Sequence, residues 1–87
     1  MAHKQNVVGP QIRKHRYAQE LTQEMLVARC ATVGLDLSRG TLAKIEAQVR
    51  CVNDHELLLL ARALRVNLSD LYPVHMIQKV GTGRSSR

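Results

Sequence analysis

Apolar side chains recur every three or four positions over most of the chain, and no stretch of useful length alternates between apolar and polar residues. The clearest stripes consist of Leu26, Cys30 and Val33, and of Leu57, Leu60, Ala61 and Leu64. This spacing places each set on one side of an α-helix, where it can pack on a core. The pattern therefore predicts an all-α fold.

Capping residues set the predicted helix boundaries. Gly9 and Pro10 open the first helix, which runs to about Gln19, because proline is tolerated at the first helical position. The side chains that can cap four further helices belong to Thr22, Ser38, Asn53 and Asn67. The second helix ends at Gly34, and Pro73 stops the last one. Five helices are therefore predicted in a row.

The chain divides into one domain with a short segment on either side. Its 87 residues, 45% of them hydrophobic, suit a single domain at residues 9–73 with a modest core. Residues 1–8 are predicted to be a flexible arm. Residues 74–87 are predicted to be a tail whose apolar start is a candidate interface and whose last residues, GTGRSSR, have a composition typical of disorder.

The stretch 22–46 organises the chain, because its second helix has two different faces. Leu42 and Ile45 share one side and can pack on the core. The opposite side consists of Arg39, Gly40, Ala43 and Lys44. It presents two cations with Gly40, which has no side chain, between them. Such a face suits a groove lined with hydrogen-bond acceptors and phosphates. Leu35 and Leu37, in the link before this helix, are expected to tuck under the helices.

The formal net charge is +6, and its placement matters more than its size. Residues 9–73 carry nine Lys and Arg and seven Asp and Glu, a net charge of +2, and the two ends supply the other +4. The basic balance therefore permits nucleic-acid binding, but it is partly a property of the ends.

The sequence contains no recognisable catalytic or metal-binding pattern. Cys30 lies on an apolar stripe, where it is expected to pack, and Cys51 completes no CxxC motif. The four histidines lack metal-binding spacing, and there is no nucleophile–base pair and no glycine-rich phosphate loop. We therefore expect no enzyme, no metal and no cofactor. The longest apolar run, residues 57–61, is too short to span a bilayer, and the expected location is the cytoplasm.

Several short motifs in this order resemble the phage-repressor and Cro-like (XRE-type) helix-turn-helix family. They are Ile12-Arg13-x-x-Arg16, Leu21-Thr22-Gln23-Glu24, Ser38-Arg39-Gly40-Thr41-Leu42-Ala43-Lys44-Ile45-Glu46, LLLLARAL at 57–64 and VNLSDLY at 66–72. The likeness covers roughly residues 9–73. The sequence departs from the family pattern in the link between helices 2 and 3, which is about five residues longer than usual, and at Gln48, where the family usually has a helix-ending glycine.

The resemblance implies a five-helix, lambda-repressor-like fold and a transcriptional regulator, expected to be a repressor, that binds double-stranded DNA in a sequence-specific manner. Helix 3 would enter the major groove, with base edges read by Arg39, Gly40 and Lys44. The residues that match backbone-contacting positions are Thr22, Gln23 and Arg50, and the hydroxyls of Ser38 and Thr41 can also hydrogen-bond phosphates. Arg16 and Glu46 would form a buried ion pair between helices 1 and 3. A homodimer would bind two half-sites about one helical turn apart.

Each of these assignments has a plainer alternative. The two cations of helix 3 also fit an ordinary solvated face, and Gly40 fits the tolerance for glycine near a helix start. Thr22 and Ser38 can serve as helix caps alone. Arg50 can be a solvated loop residue.

A second surface raises the question of protein partners. The helical wheel places Leu59 on the outer face of helix 4. Together with Val74, Met76 and Ile77 it would form an exposed apolar patch, a candidate dimer interface. Two rival hypotheses therefore stand beside sequence-specific DNA binding. One is an antitoxin-like or assembly module whose DNA binding is secondary, and the other is non-specific coating of nucleic acid by the basic ends.

Overall fold

The computed structural model describes residues 4–76, which form helices and turns without a β-strand. The elements are α1 (Gly9–Ala18), α2 (Gln23–Thr32), α3 (Arg39–Glu46), α4 (Asp54–Leu64) and a 3-10 helix (Leu68–Leu71). The predicted all-α class is confirmed. The last of the five predicted helices is a 3-10 helix rather than an α-helix.

The predicted capping residues stand at the starts of α2, α3 and α4. The hydroxyl groups of Thr22 and Ser38 each accept a hydrogen bond from the backbone N–H three residues later, at 3.0 Å. At α4, the side chain of Asn53 accepts from the N–H of Glu56 at 2.7 Å, and the Glu56 carboxylate accepts from the N–H of Asn53 at 3.1 Å. These bonds satisfy N–H groups that have no partner within the helix, and they fix where each helix begins.

The long link between α2 and α3 is anchored to the core. Gly34 follows α2 with a φ of +93°, a conformation that residues with a side chain rarely adopt. The N–H of Leu35 then donates to the carbonyl oxygen of Cys30 at 2.9 Å. Leu35 and Leu37 are both buried, as expected. The link therefore holds the two helices in a fixed relation in spite of its length.

α4 is the central helix, and its buried sector is broader than the sequence indicates. It packs against α1, α2 and the 3-10 helix, so that side chains on several of its sides face other elements. Leu59 is only 6% exposed and belongs to the core, whereas its neighbour Leu58 is 42% exposed. The prediction that Leu59 lies on an outer face is therefore wrong, because the helical wheel assumes one contacting side and α4 has more than one.

Residues 4–8, the described part of the segment predicted to be a flexible arm, are docked on the end of α3. The side-chain amide of Asn6 donates to the carbonyl oxygens of Ile45 and Arg50, at 3.1 and 2.8 Å. Its oxygen accepts from the backbone N–H groups of Val8 and Gly9, at 3.1 and 2.8 Å. A single side chain therefore joins the start of α1 to the end of α3.

Gly9 allows α1 and α3 to meet backbone to backbone. A Cβ at this position would collide with the carbonyl oxygen of Ile45 and would lie 2.9 Å from that of Glu46. The turn after α3 is also tight, since Gln48 takes a φ of 65°, where a glycine is more usual. Its side-chain amide donates to the carbonyl oxygen of Asn6 at 3.0 Å, which holds this turn against the N-terminal segment.

Candidate functional site

The first turn of α2 lies against both ends of α3. Gln23 Nε2 donates to Glu46 Oε1 at 3.2 Å, at the C-terminal end of α3. Glu24 Oε2 lies 3.1 Å from Arg39 Nε, at the N-terminal end. We call the outward side of these two elements the α2–α3 surface. It consists of Thr22, Gln23, Glu24, Ser38, Arg39, Gly40, Thr41 and Lys44.

α3 has the two faces predicted for it. Leu42 and Ile45 are completely buried and seat the helix on the core. Arg39, Gly40 and Lys44 are exposed on the opposite side. The residues assigned to base edges therefore share one accessible surface.

A buried ion pair fixes α3 to α1. Arg16 Nε and Nη2 donate to the two carboxylate oxygens of Glu46, at 2.7 and 2.9 Å. Arg16 Nη1 donates to the carbonyl oxygen of Leu21 at 2.9 Å. The hydrogen bonds to Glu46 raise the pKa of Arg16 above its ordinary value. The pairing of Arg16 with Glu46 that the resemblance implies is thus present, and it sets the position of α3.

Gln23 is partly engaged inside the protein. The hydrogen bond from its side-chain amide to Glu46 leaves one N–H and the side-chain oxygen for other partners. Arg13 approaches the same carboxylate, with Nε 3.6 Å from Glu46 Oε1, and its side chain is about half exposed. The sequence motifs indicate no role for Arg13. The signal that was available is its spacing, one helical turn before Arg16.

Arg39 is paired at the surface with Glu24, a residue for which the sequence motifs indicate no role. The side chains of Arg39 and Glu24 are 63% and 67% exposed. Ion pairs as exposed as this contribute little to stability. Arg39 is therefore accessible, but its guanidinium has a neighbouring anion on the α2–α3 surface.

Gly40 and Lys44 add an open position and a second cation. A Cβ on Gly40 would meet only the Ser38 hydroxyl oxygen, at 3.9 Å, so that the protein itself leaves room for a side chain there. Lys44 is exposed, one helical turn after Gly40. Packing within the described residues therefore does not require glycine at position 40.

The hydroxyl groups on this surface are used first as caps. Ser38 Oγ accepts from the N–H of Thr41 and donates to Thr41 Oγ1 at 2.9 Å. Thr22 Oγ1 accepts from the N–H of Met25. Both capping alternatives are thus realised. Thr22 and Ser38 are exposed as residues, but the hydroxyl of each has a partner within the protein.

Arg50 is bound to the start of α4. Its Nη1 and Nη2 donate to the two carboxylate oxygens of Glu56, at 3.1 and 2.9 Å. This hydrogen bond keeps the pKa of the Glu56 carboxyl below its ordinary value and raises the pKa of Arg50. Glu56 also caps α4, so that Arg50 is held by a residue of the helix start. Neither of the two roles expected for Arg50, a phosphate contact or a solvated loop side chain, includes this partner. A phosphate would have to compete with Glu56 for this guanidinium.

Val74 and Met76 form the part of the predicted apolar patch that the structure places at the surface. Val74 is 60% exposed and Met76 is 37% exposed. Met76 lines a shallow groove together with Val7 and Pro10. Leu59 does not belong to this patch, and Ile77 lies outside the described residues.

In the part of the chain that the structure describes, the two cysteines are free thiols and no cluster of metal-ligating side chains is found. Residues 4–76 contain no group of three or more His, Cys, Asp and Glu side chains placed to hold a metal ion. Cys30 is buried, and burial raises the pKa of its thiol to about 11. Cys51 is exposed, with its thiol 3.2 Å from Gln5 Oε1. Over the same residues, no helix is long and apolar enough to cross a membrane.

Comparison of the chain with protein-family models, with curated proteins and with solved structures found no match in any of the three. A functional hypothesis for this protein therefore depends on its own residues and on their arrangement at the α2–α3 surface.

Proposed function

We propose that this protein binds double-stranded DNA in a sequence-specific manner and regulates transcription, expected as a repressor, with α2 and α3 acting as a helix-turn-helix unit of the lambda-repressor-like kind. The observation that carries the proposal is the outward side of α3. Arg39 and Lys44 are exposed there on either side of Gly40, on a helix whose opposite side is fixed in the core. A helix of this form fits the major groove, where Arg and Lys donate to guanine O6 and N7.

The start of α2 supports the same docking. Its first-turn N–H groups and the positive end of its dipole favour an anion such as a phosphate. Thr22 is exposed at this end, and Gln23 keeps part of its amide available. Contacts of this kind position a protein on the duplex without reading its sequence, so that discrimination is left to α3.

A homodimer is part of the proposal. One eight-residue helix reaches only a few base pairs, and two-fold related copies can read two half-sites about 34 Å apart along the duplex. The operator is accordingly expected to have two-fold symmetry.

Selection from a random duplex pool at fixed, near-physiological salt tests the proposal, since affinity for DNA falls steeply with salt. We expect a two-fold symmetric motif, and we expect Arg39→Ala to relax one base pair in each half-site at a loss of about 1–3 kcal/mol. Arg62→Ala is a matched control, because it removes the same charge from an exposed position on α4. No enriched motif, or equal effects of both variants, would favour non-specific binding by the basic ends.

A second candidate function is a protein-interaction module, antitoxin-like or part of an assembly, and the exposed Val74 and Met76 favour it. Sedimentation of the double variant Val74→Ser, Met76→Ser tests whether these side chains hold copies together. Loss of dimer with retained weak DNA binding would assign the patch to self-association. An unchanged dimer would place the interface elsewhere.

A further inference from the structure

Glu24 is an unexpected residue on a surface proposed to face DNA. Its side chain is 67% exposed and lies beside the proposed base-reading residue Arg39, so that it would face the same ligand. Thr22 already caps α2, and an ion pair as exposed as this one contributes little to stability. Its place in the first turn of α2, where the helix dipole favours an acidic residue, accounts for an anion here but not for its contact with Arg39.

The closest approach between Glu24 and Arg39 is at Nε of the guanidinium. Glu24 Oε2 lies 3.1 Å from Nε, on the side of the group nearest the aliphatic chain. The guanidinium has five N–H donors, and four of them are on the two terminal nitrogens. A carboxylate whose closest approach is at Nε lies away from the terminal nitrogens, which can then make a bidentate contact with guanine O6 and N7.

We infer that Glu24 is a positioning residue that holds Arg39 for end-on reading of one base pair, an inference that depends on the proposed function. The Arg side chain is long and flexible, and fixing it before binding reduces the entropy lost when the contact with the base forms. Glu24 therefore contributes to sequence discrimination through Arg39, and it touches no base itself.

Charge repulsion alone and positioning of Arg39 predict different behaviour of Glu24 variants. If Glu24 only repels phosphates, its neutralisation should strengthen binding to every duplex by the same factor. If Glu24 positions Arg39, neutralisation should weaken discrimination at the base pair that Arg39 reads. Discrimination at the base pair that depends on Lys44 should not change.

The test compares the dissociation constants of wild type, Glu24→Gln, Arg39→Ala and the double variant at one salt concentration. The duplexes are the selected motif, the motif with the Arg39-dependent pair exchanged, and the motif with the Lys44-dependent pair exchanged. We expect wild type to disfavour the first exchange by about tenfold or more, and Glu24→Gln to reduce this ratio by about threefold or more, with no further effect in the Arg39→Ala background.

Glu24→Asp separates charge from position, because it keeps the negative charge and shortens the side chain by one methylene group. We expect it to lose discrimination at the Arg39-dependent pair as Glu24→Gln does. Thermal unfolding checks that each variant keeps the wild-type fold, which is expected for an exposed position.

The possible failures are distinguishable. A uniform gain in affinity with Glu24→Gln, with the ratios between duplexes unchanged, would overturn the role of Glu24 and leave DNA recognition by α3 intact. Absence of any selected motif for the wild-type protein would overturn the proposed function, and the role of Glu24 with it.

Discussion

The guanidinium of Arg16 in α1 and the carboxylate of Glu46 in α3 form a two-point ion pair in the core, at 2.7 and 2.9 Å. The Arg16 side chain is 7% exposed and that of Glu46 is completely buried. Charges removed from water in this way depend on each other; among residues 4–76, Glu46 has one further cation nearby, Arg13, whose side chain is about half exposed. The ion pair therefore helps to fix the place of α3, and with it the α2–α3 surface, together with the buried Leu42 and Ile45.

Glu46→Ala should lower the free energy of unfolding by about 3–5 kcal/mol, because it leaves the Arg16 guanidinium buried without its counter-ion. Glu24→Ala is a matched control, since it removes a carboxylate from an Arg pair that is more than half exposed. The control should change stability by about 1 kcal/mol or less. Urea denaturation followed by circular dichroism measures both variants, and similar losses in the two would contradict the structural role of the buried pair.

Gly9→Ala should destabilise the protein by about 1–3 kcal/mol, because the new methyl group has no space against the carbonyl oxygens of Ile45 and Glu46. Gly40→Ala offers the same exchange in the first turn of another helix, where a Cβ has open space. It should raise stability by up to about 1 kcal/mol through helix propensity. Thermal unfolding of the two variants should therefore shift in opposite directions, and a shared direction would argue against the close approach of α1 to α3.

The features that could be predicted from the sequence depend on residues a few positions apart. Helix caps such as Asn53 with Glu56 join neighbours in the chain, and the two faces of α3 follow from its period of 3.6 residues. The pair of Arg16 with Glu46, in contrast, was expected only through the resemblance to a family. Nothing in the spacing of two residues 30 positions apart indicates that they meet.

The features that could not be predicted depend on long-range packing. Asn6 looks like part of a loose arm until the end of α3 is placed beside it, 39 residues later in the chain. Leu59 lies on the outside of a helical wheel, and its burial depends on how many elements surround α4. The partners of Arg39 and Arg50 likewise follow from which carboxylates the fold brings near, and neither helix periodicity nor the resemblance indicates Glu24 or Glu56.

Glu56 should account for part of the stability that the protein loses at low pH. The hydrogen bond from Arg50 lowers the folded-state pKa of this carboxyl, while the unfolded chain keeps a value near 4.3. The stabilisation is therefore fully present above about pH 5 and is lost as the pH falls through the lowered folded value. Glu56→Gln should be less stable than wild type at pH 7 and should lose less stability between pH 6 and pH 3.

Arg50→Gln provides the complementary test, because Arg50 is the first cause of the lowered pKa. Denaturation midpoints measured across this pH range should fall less steeply towards low pH in both variants than in the wild type. If the midpoints of both variants fall as steeply as those of the wild type, the Arg50–Glu56 pair does not contribute to the loss of stability at low pH.

The two cysteines should differ strongly in reactivity. Burial raises the pKa of the Cys30 thiol to about 11, so that it is protonated and inaccessible at pH 8. Cys51 is exposed. A colorimetric thiol reagent at pH 8 should therefore detect one rapidly reacting thiol in the folded protein and two in guanidinium. Cys51→Ser should abolish the rapid phase, and rapid labelling of that variant would mean that Cys30 is less well packed than the structure shows.

Gly40→Ala also tests how closely α3 approaches DNA. Position 40 lies between the two exposed cations, and the missing side chain would let the backbone come near a base edge in the proposed complex. A methyl group there should weaken binding to the selected motif by about tenfold, or about 1.4 kcal/mol. Because the variant is expected to be at least as stable as wild type, weaker binding could not be explained by unfolding. Unchanged affinity would mean that the α3 backbone stays clear of the bases and that Arg39 and Lys44 alone reach the groove floor.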